Sequence, residues 1–184
     1  MQSGHGVRHE PVMHNFFIIA GPSDDPAGVA ELGADEALKQ IASSGHQFVS
    51  RGDDSGTHKK ELAIWKAAGG LSKWDGYLEA GQGMGPTLVI ADEKNAYVLT
   101  DQGTWLKRRD SLRLKSLVEG TEDLRNPYAV MVVNPERHSA INDELASAFA
   151  DFLISEQAQK LIADYRVNGQ PLFYPDRIPT ESAE

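Results

Sequence analysis

The sequence predicts an α/β fold with a mostly parallel sheet, on three observations. Short apolar runs closed by Gly or Pro alternate with segments whose apolar residues recur every three to four positions. One stretch, "HQFVSRGDDSGTHKKELAIW", reads as strand, loop and helix in direct succession. At 184 residues the chain is long enough for one ordinary core or two small lobes.

The elements follow in order. "FFIIAGP" (16–22) is a short buried strand entering a turn, and "DDPAGVAEL" is a loop. "GADEALKQIASSG" is a helix with Leu38 and Ile41 inward and Gly45 as its stop. After the strand "HQFVSR", the next helix places Leu62, Trp65 and Ala68 on one face and ends at Gly69-Gly70. "PTLVIADEKN" opens a helix at Pro86, "AYVLT" is a strand, and Asp101 is the N-cap of a further helix ending in "KRRD". "YAVMVVNP" is a strand with five successive apolar residues, the pattern of a fully buried position. Leu145, Phe149, Phe152 and Leu153, then Leu161, Ile162 and Tyr165, form the apolar stripe of a helical end.

Composition excludes several functions. With 18 Lys+Arg against 27 Asp+Glu the net charge is -9, so the long-range field repels nucleic acid and anionic membranes, and any bound anion must be held locally. No cysteine means no disulfide, no thiolate metal site and no cysteine nucleophile. Of the six histidines only His5 and His9 have the H-x-x-x-H spacing, and no H-E-x-x-H occurs, so neither a metal nor a cofactor is expected. No apolar run reaches the ~20 residues needed to span a bilayer. "MQSGHGVRHEPVMHN" lacks the layout of a secretion signal, which predicts a cytoplasmic, mature or partial chain.

The candidate site is Arg51-Gly52-Asp53-Asp54-Ser55-Gly56-Thr57. The first N–H groups of a helix have no partner within it, and its dipole leaves partial positive charge there. Ser55 and Thr57 add hydroxyl donors, Gly56 lets the backbone come close, and Arg51 offers a planar donor fork that Asp53 tethers. The result is a donor-only cup for a tetrahedral oxoanion, with His58 beside it. On the plainer reading Asp54 or Ser55 only caps the helix and Arg51 is a surface ion pair. "GQGMG" (81–85) is neither G-x-G-x-x-G nor a P-loop and follows no clear strand; it reads as a flexible turn bordering the ligand at Gly83 and Met84. No histidine or lysine stands ready to activate Ser55, so catalysis is not expected.

At these residues the chain resembles the extracytoplasmic tungstate-binding receptors of ABC importers. The motifs that carry the resemblance are "VMHNFFIIAGP", "FVSRGDDSGTHKKEL", "GQGMGPTLVIADEKNAYVLTDQGTWL", "LRNPYAVMVVNP" and "AFADFLISEQAQKLIADYRVNGQPLFYP", in that order. The resemblance implies a periplasmic-binding-protein-like α/β lobe at 21–128 that holds the anion. It makes 1–20 a terminal segment with the first crossing strand, and 129–184 a return strand with the C-terminal helices of an incomplete first lobe. A partial first lobe would leave Phe149, Phe152 and Leu161 without cover and favour a homo-oligomer. It further implies tungstate or molybdate as ligand, an ABC permease as partner and an extracytoplasmic location. The Arg51-x-Asp53-x-Ser55-Gly56-Thr57 spacing is also similar to phosphate receptors, so a phosphate or sulfate receptor is the alternative. A regulator's ligand-sensing domain shares the architecture, but no helix-turn-helix accompanies it here.

Overall fold

The computed structural model describes residues 3–178. The chain divides into a continuous unit of residues 16–125 and a second unit formed by the segments on either side, 1–15 and 126–184. Strands β1 (Gly6–Gly21) and β6 (Arg125–Val133) run from one into the other.

The continuous unit contains α1 (Ala34–Ser43), β2 (Phe48–Ser50), α2 (Gly56–Ala67), β3 (Tyr77–Glu79), α3 (Met84–Lys94), β4 (Tyr97–Asp101), α4 (Gln102–Arg108) and β5 (Lys115–Val118). Its strands are ordered β3-β2-β4-β1-β5. The sheet is mixed. Helical crossovers make β2 parallel to β3 (Phe48 opposite Tyr77) and to β4 (Phe48 opposite Tyr97), whereas β1 lies antiparallel to β4 and β5. Because β3 and β4 flank β2 on opposite sides, the connections leaving the β2 end diverge, and an open α/β sheet places ligands at such a point.

The core of this unit is apolar and aromatic. Leu38 and Ile41 of α1 and Ile64 and Trp65 of α2 pack with Phe17, Phe48, Tyr97 and Leu99 of the sheet. Phe48 stacks on Tyr77 at 6.0 Å and meets Trp65 edge-on at 5.9 Å. Tyr97 carries a polar tip into the core and satisfies it: its hydroxyl donates to Asp25 and accepts from the Ala27 N–H, both at 2.9 Å.

Five elements depart from the sequence pattern. β1 begins at Gly6 rather than Phe16, because its first half alternates polar and apolar residues and pairs with β6 and β9 (Tyr174–Pro175). β3 and β5 are too short and too polar to signal themselves. On α2 the inward face is Thr57, Glu61, Ile64 and Trp65, and Leu62 is 41% exposed. A carboxylate occupies the core position because the Trp65 indole N–H and the Tyr77 hydroxyl donate to it there. β6 is not fully buried: Val132 is, but Met131 and Val133 are exposed.

The other unit holds the first half of β1, most of β6, α5 (Asp143–Ile154), α6 (Glu156–Asp164), a small hairpin of β7 (Arg166–Val167) with β8 (Gln170–Pro171), and β9. Buried Gln159 pins it, its amide donating to the Val12 and Leu153 carbonyls at 2.9 Å and accepting the Arg177 N–H at 2.9 Å. Ser155 ends α5 and caps α6. Their apolar stripe faces outward: Leu145, Phe149, Phe152, Leu161 and Tyr165 are all exposed. Asn126 donates to Asn15 at 2.9 Å where β1 and β6 approach the continuous unit.

Candidate functional site

The loop between β2 and α2 is built around Asp53. Its carboxylate takes the Arg51 guanidinium and the Ser55 N–H, the latter at 3.2 Å. The Ser55 hydroxyl and the Arg51 charge hold the Asp53 carboxyl down to about 2. Asp54, at φ 58°, donates its N–H to His58 Nδ1 at 3.0 Å. A lone pair is therefore required on Nδ1, placing the proton of the neutral ring on Nε2. The Asp54 side chain faces outward, 3.4 Å from Lys59.

Ser55 is the helix N-cap, in extended backbone, and its Oγ accepts the His58 N–H at 3.3 Å. That bond uses one lone pair of the Ser55 hydroxyl. The plainer capping role is thus realised for Ser55. Arg51 differs. Its Nε is buried and has no hydrogen-bond partner, one of two such atoms among the described residues. The N–H groups of Gly56 and Thr57 and the Thr57 hydroxyl also lack a partner among the described residues.

The backbone links this loop to a second one. Ala80 N–H donates to the Ser50 carbonyl and Gly81 N–H to the Arg51 carbonyl, both at 2.9 Å, extending the β2–β3 ladder beyond the strand ends. Gly52 has φ 62°, and a Cβ there would stand 3.0 Å from the Glu79 Cβ, so glycine alone fits. "GQGMG" therefore starts beside Arg51. It does follow a strand, and only 81–83 lie outside the helix: Gly83 is the N-cap of α3, with no side-chain cap, and the helix opens at Met84, two residues before Pro86. Thr87 Oγ1 ties the turn to the Gln82 and Gly83 carbonyls. The Asp101 cap binds Thr104 N–H at 2.8 Å, so a carboxylate already fills the start of α4.

Two residues at this end of the sheet escaped the sequence reading. Arg108, part of "KRRD", lies so close to Gly85 in the first turn of α3 that a Cβ there would be 3.0 Å from its Nε. Glu61 lies beneath the loop; its position four residues after Thr57 and four before Trp65, on the inward face, was the available signal. Among the described residues no three His, Asp or Glu side chains gather as a metal site.

The arrangement can hold an anion through one guanidinium, two backbone N–H groups and a hydroxyl, all donors. The profile of the PBP superfamily domain matches residues 1–157. The chain is 45% identical to the tungstate-binding protein TupA of Peptoclostridium acidaminophilum over 95% of its length and 63% of the relative's. It is 36% identical to the TupA of Campylobacter jejuni, over 96% and 67%. The solved tungstate-binding protein TupA of Desulfovibrio alaskensis G20 superposes with a TM-score of 0.89 at 41% identity, over 95% of this chain and 72% of that one. The chain spans 54 to 67% of the length of the curated relatives it matches. The chain belongs to the PBP superfamily and groups there with the tungstate-binding proteins.

Proposed function

We propose that this chain is a solute-binding receptor, or the ligand-holding part of one, that takes tungstate or molybdate outside the cytoplasm and delivers it to an ABC importer's permease. The observation that carries the reading is the Arg51 Nε, a buried donor of fixed charge with no protein partner. Leaving a buried donor unpaired costs about 1–3 kcal/mol, and an oxoanion oxygen would remove that penalty. The unpartnered Gly56 and Thr57 N–H groups and the Thr57 hydroxyl supply the remaining donors. Ser55 caps the helix with its hydroxyl at the same loop, Asp53 and His58 support the loop, and Gly83 and Met84 border the ligand. The names of the relatives support tungstate as the ligand.

We infer the choice among oxoanions from the predominance of donors at the loop. Phosphate carries a proton at neutral pH and needs an acceptor for it; among the described residues each Asp53 oxygen already accepts one bond and Asp54 faces outward, which favours an oxoanion without a proton. Isothermal titration with tungstate, molybdate, sulfate and phosphate tests the reading. Tungstate and molybdate should bind most tightly; phosphate binding equal to or tighter than tungstate, or no binding of any of the four, would overturn it. A homo-oligomer formed through the exposed apolar residues of α5 and α6 is part of the same proposal.

A further inference from the structure

We propose that His58 is a positioning residue of this anion site: its Nδ1 lone pair holds the peptide joining Asp53 to Asp54, and so aims the carboxylate on which the Arg51 guanidinium rests. The inference deepens the cup reading and depends on it. His58 is half-buried and is the third residue of α2. Its ring Nδ1 accepts the Asp54 N–H at 3.0 Å, while its own backbone N–H donates to Ser55 Oγ at 3.3 Å. Asp53 closes the loop from the other side, its Oδ1 accepting the Ser55 N–H at 3.2 Å and its Oδ2 accepting Arg51 Nη2.

In an ordinary capping box the side chain at the third helical position returns to the N–H of the cap residue itself. Here Asp53 already occupies the Ser55 N–H, and the His58 ring reaches one residue further back, to Asp54. Asp54 is not a glycine, yet it sits at φ 58°, where a side chain is disfavoured, and the bond from its N–H offsets part of that strain. The shifted box sorts the donors. The N–H groups of Asp54, Ser55 and His58 are bonded within the loop, and those of Gly56 and Thr57 have no partner among the described residues. Asp53 is held at two points, by its Oδ1 bond and by the peptide that follows it. Its Oδ2 therefore stays turned to Arg51 Nη2, and the guanidinium keeps an unpartnered Nε. The residue type matters as well. Glutamate, the usual residue here, would set a negative charge beside the bound oxoanion together with the acceptor. A neutral imidazole supplies the acceptor alone, because the Asp54 N–H requires the lone pair on Nδ1 and leaves the proton on Nε2.

Tungstate titration, thermal melts and nitrogen NMR of the imidazole, all on the whole chain, test this. His58→Leu removes the acceptor and should weaken tungstate binding about five- to tenfold. His58→Asn sets a neutral amide oxygen as many bonds from the backbone as Nδ1 and should recover most of that loss. His58→Glu restores an acceptor together with a charge. It should melt no lower than His58→Asn and still bind about tenfold more weakly than wild type, a separation of stability from affinity that capping alone does not produce. In the wild type the neutral ring should show a bare Nδ1 and a protonated Nε2. His58→Ala replaces His58→Leu should the latter not fold. Wild-type affinity in His58→Leu, no recovery in His58→Asn, equal affinities in His58→Glu and His58→Asn, or a neutral ring protonated on Nδ1 would each overturn the proposal. Binding that still depends on Arg51 would then leave the cup reading standing. A wild-type chain that binds no tungstate overturns the cup reading and the positioning role together, whichever nitrogen carries the proton.

Discussion

Replacing Arg51 with alanine should abolish most of the oxoanion affinity and leave the fold in place. The side chain does two things in the loop. Its Nε offers the buried, unpartnered donor, and its Nη2 neutralises Asp53. Removing a charge-assisted hydrogen bond to a ligand costs about 1.5–3 kcal/mol. The same substitution leaves Asp53 ionised and unpaired by a cation beside a bound anion, so the loss belongs at the upper end: about 3 kcal/mol, or roughly a hundredfold in Kd. Folding depends little on this side chain, which is absent from the core of the continuous unit. Arg51→Lys keeps the charge without the fork and should fall between. Isothermal titration with tungstate, run beside thermal melts of the three proteins, checks the order. Wild-type affinity in Arg51→Ala would refute the assignment of the cup, whatever the melts show.

Ser55→Ala should lower stability by ~1 kcal/mol through loss of the cap on His58 N–H, with a smaller effect on tungstate than Arg51→Ala; a hundredfold affinity loss there would mean that the hydroxyl touches ligand. Gly52→Ala forces a side chain to φ 62° against Glu79 and should both destabilise the chain and weaken binding, read in melts and titrations. The folded Glu61 carboxyl sits above its ordinary value, so its contribution to stability is full at low pH and declines as pH rises through the folded value; urea titrations of Glu61→Gln should lack that decline. Asp53 is lowered from 3.8 to about 2, so its contribution is present above 3.8 and disappears as pH falls toward 2, a loss that Asp53→Asn should remove. Sedimentation velocity should show an associating chain, and Phe149→Asp with Leu161→Asp should dissociate it; a strictly monomeric wild type would refute association through α5 and α6.

The form of the Arg51–Thr57 loop was legible because it is local: a cap, a glycine turn and an arginine lie within seven consecutive residues, and the loop sits where a strand gives way to a helix. α1, with Leu38 and Ile41 inward, and the Asp101 cap followed from periodicity and capping rules for the same reason. What stayed hidden depends on partners distant in the chain. Glu61 looks like a solvated helix residue until Tyr77 arrives from β3, 16 residues later. "GQGMG" looks like a loop because β3 is three residues long and carries no apolar pattern of its own. The run from Ala129 to Val133 promises burial on both faces, but a strand's apolar residues record what it is able to cover, and Met131 and Val133 remain exposed. The division of labour in the loop was the least readable part: Ser55 and Thr57 look alike in sequence, and only the His58 N–H donated to Ser55 Oγ shows which of the two hydroxyls caps the helix.

The bond between Asn126 and Asn15 has a consequence for how the gene can be handled. It joins the two strands at the places where the chain enters and leaves residues 16–125, so the beginning and the end of that segment lie next to each other. A segment whose ends meet is portable. It can be cut out and closed with a short linker, permuted so that new termini open at an exposed turn such as Gly69-Gly70, or inserted into a surface loop of a reporter protein without stretching the host. Joined to a fluorescent host in this way, residues 16–125 would carry the Arg51 loop, Glu61 and the start of α3 as one cassette, a compact module in which the proposed anion binding can be read directly.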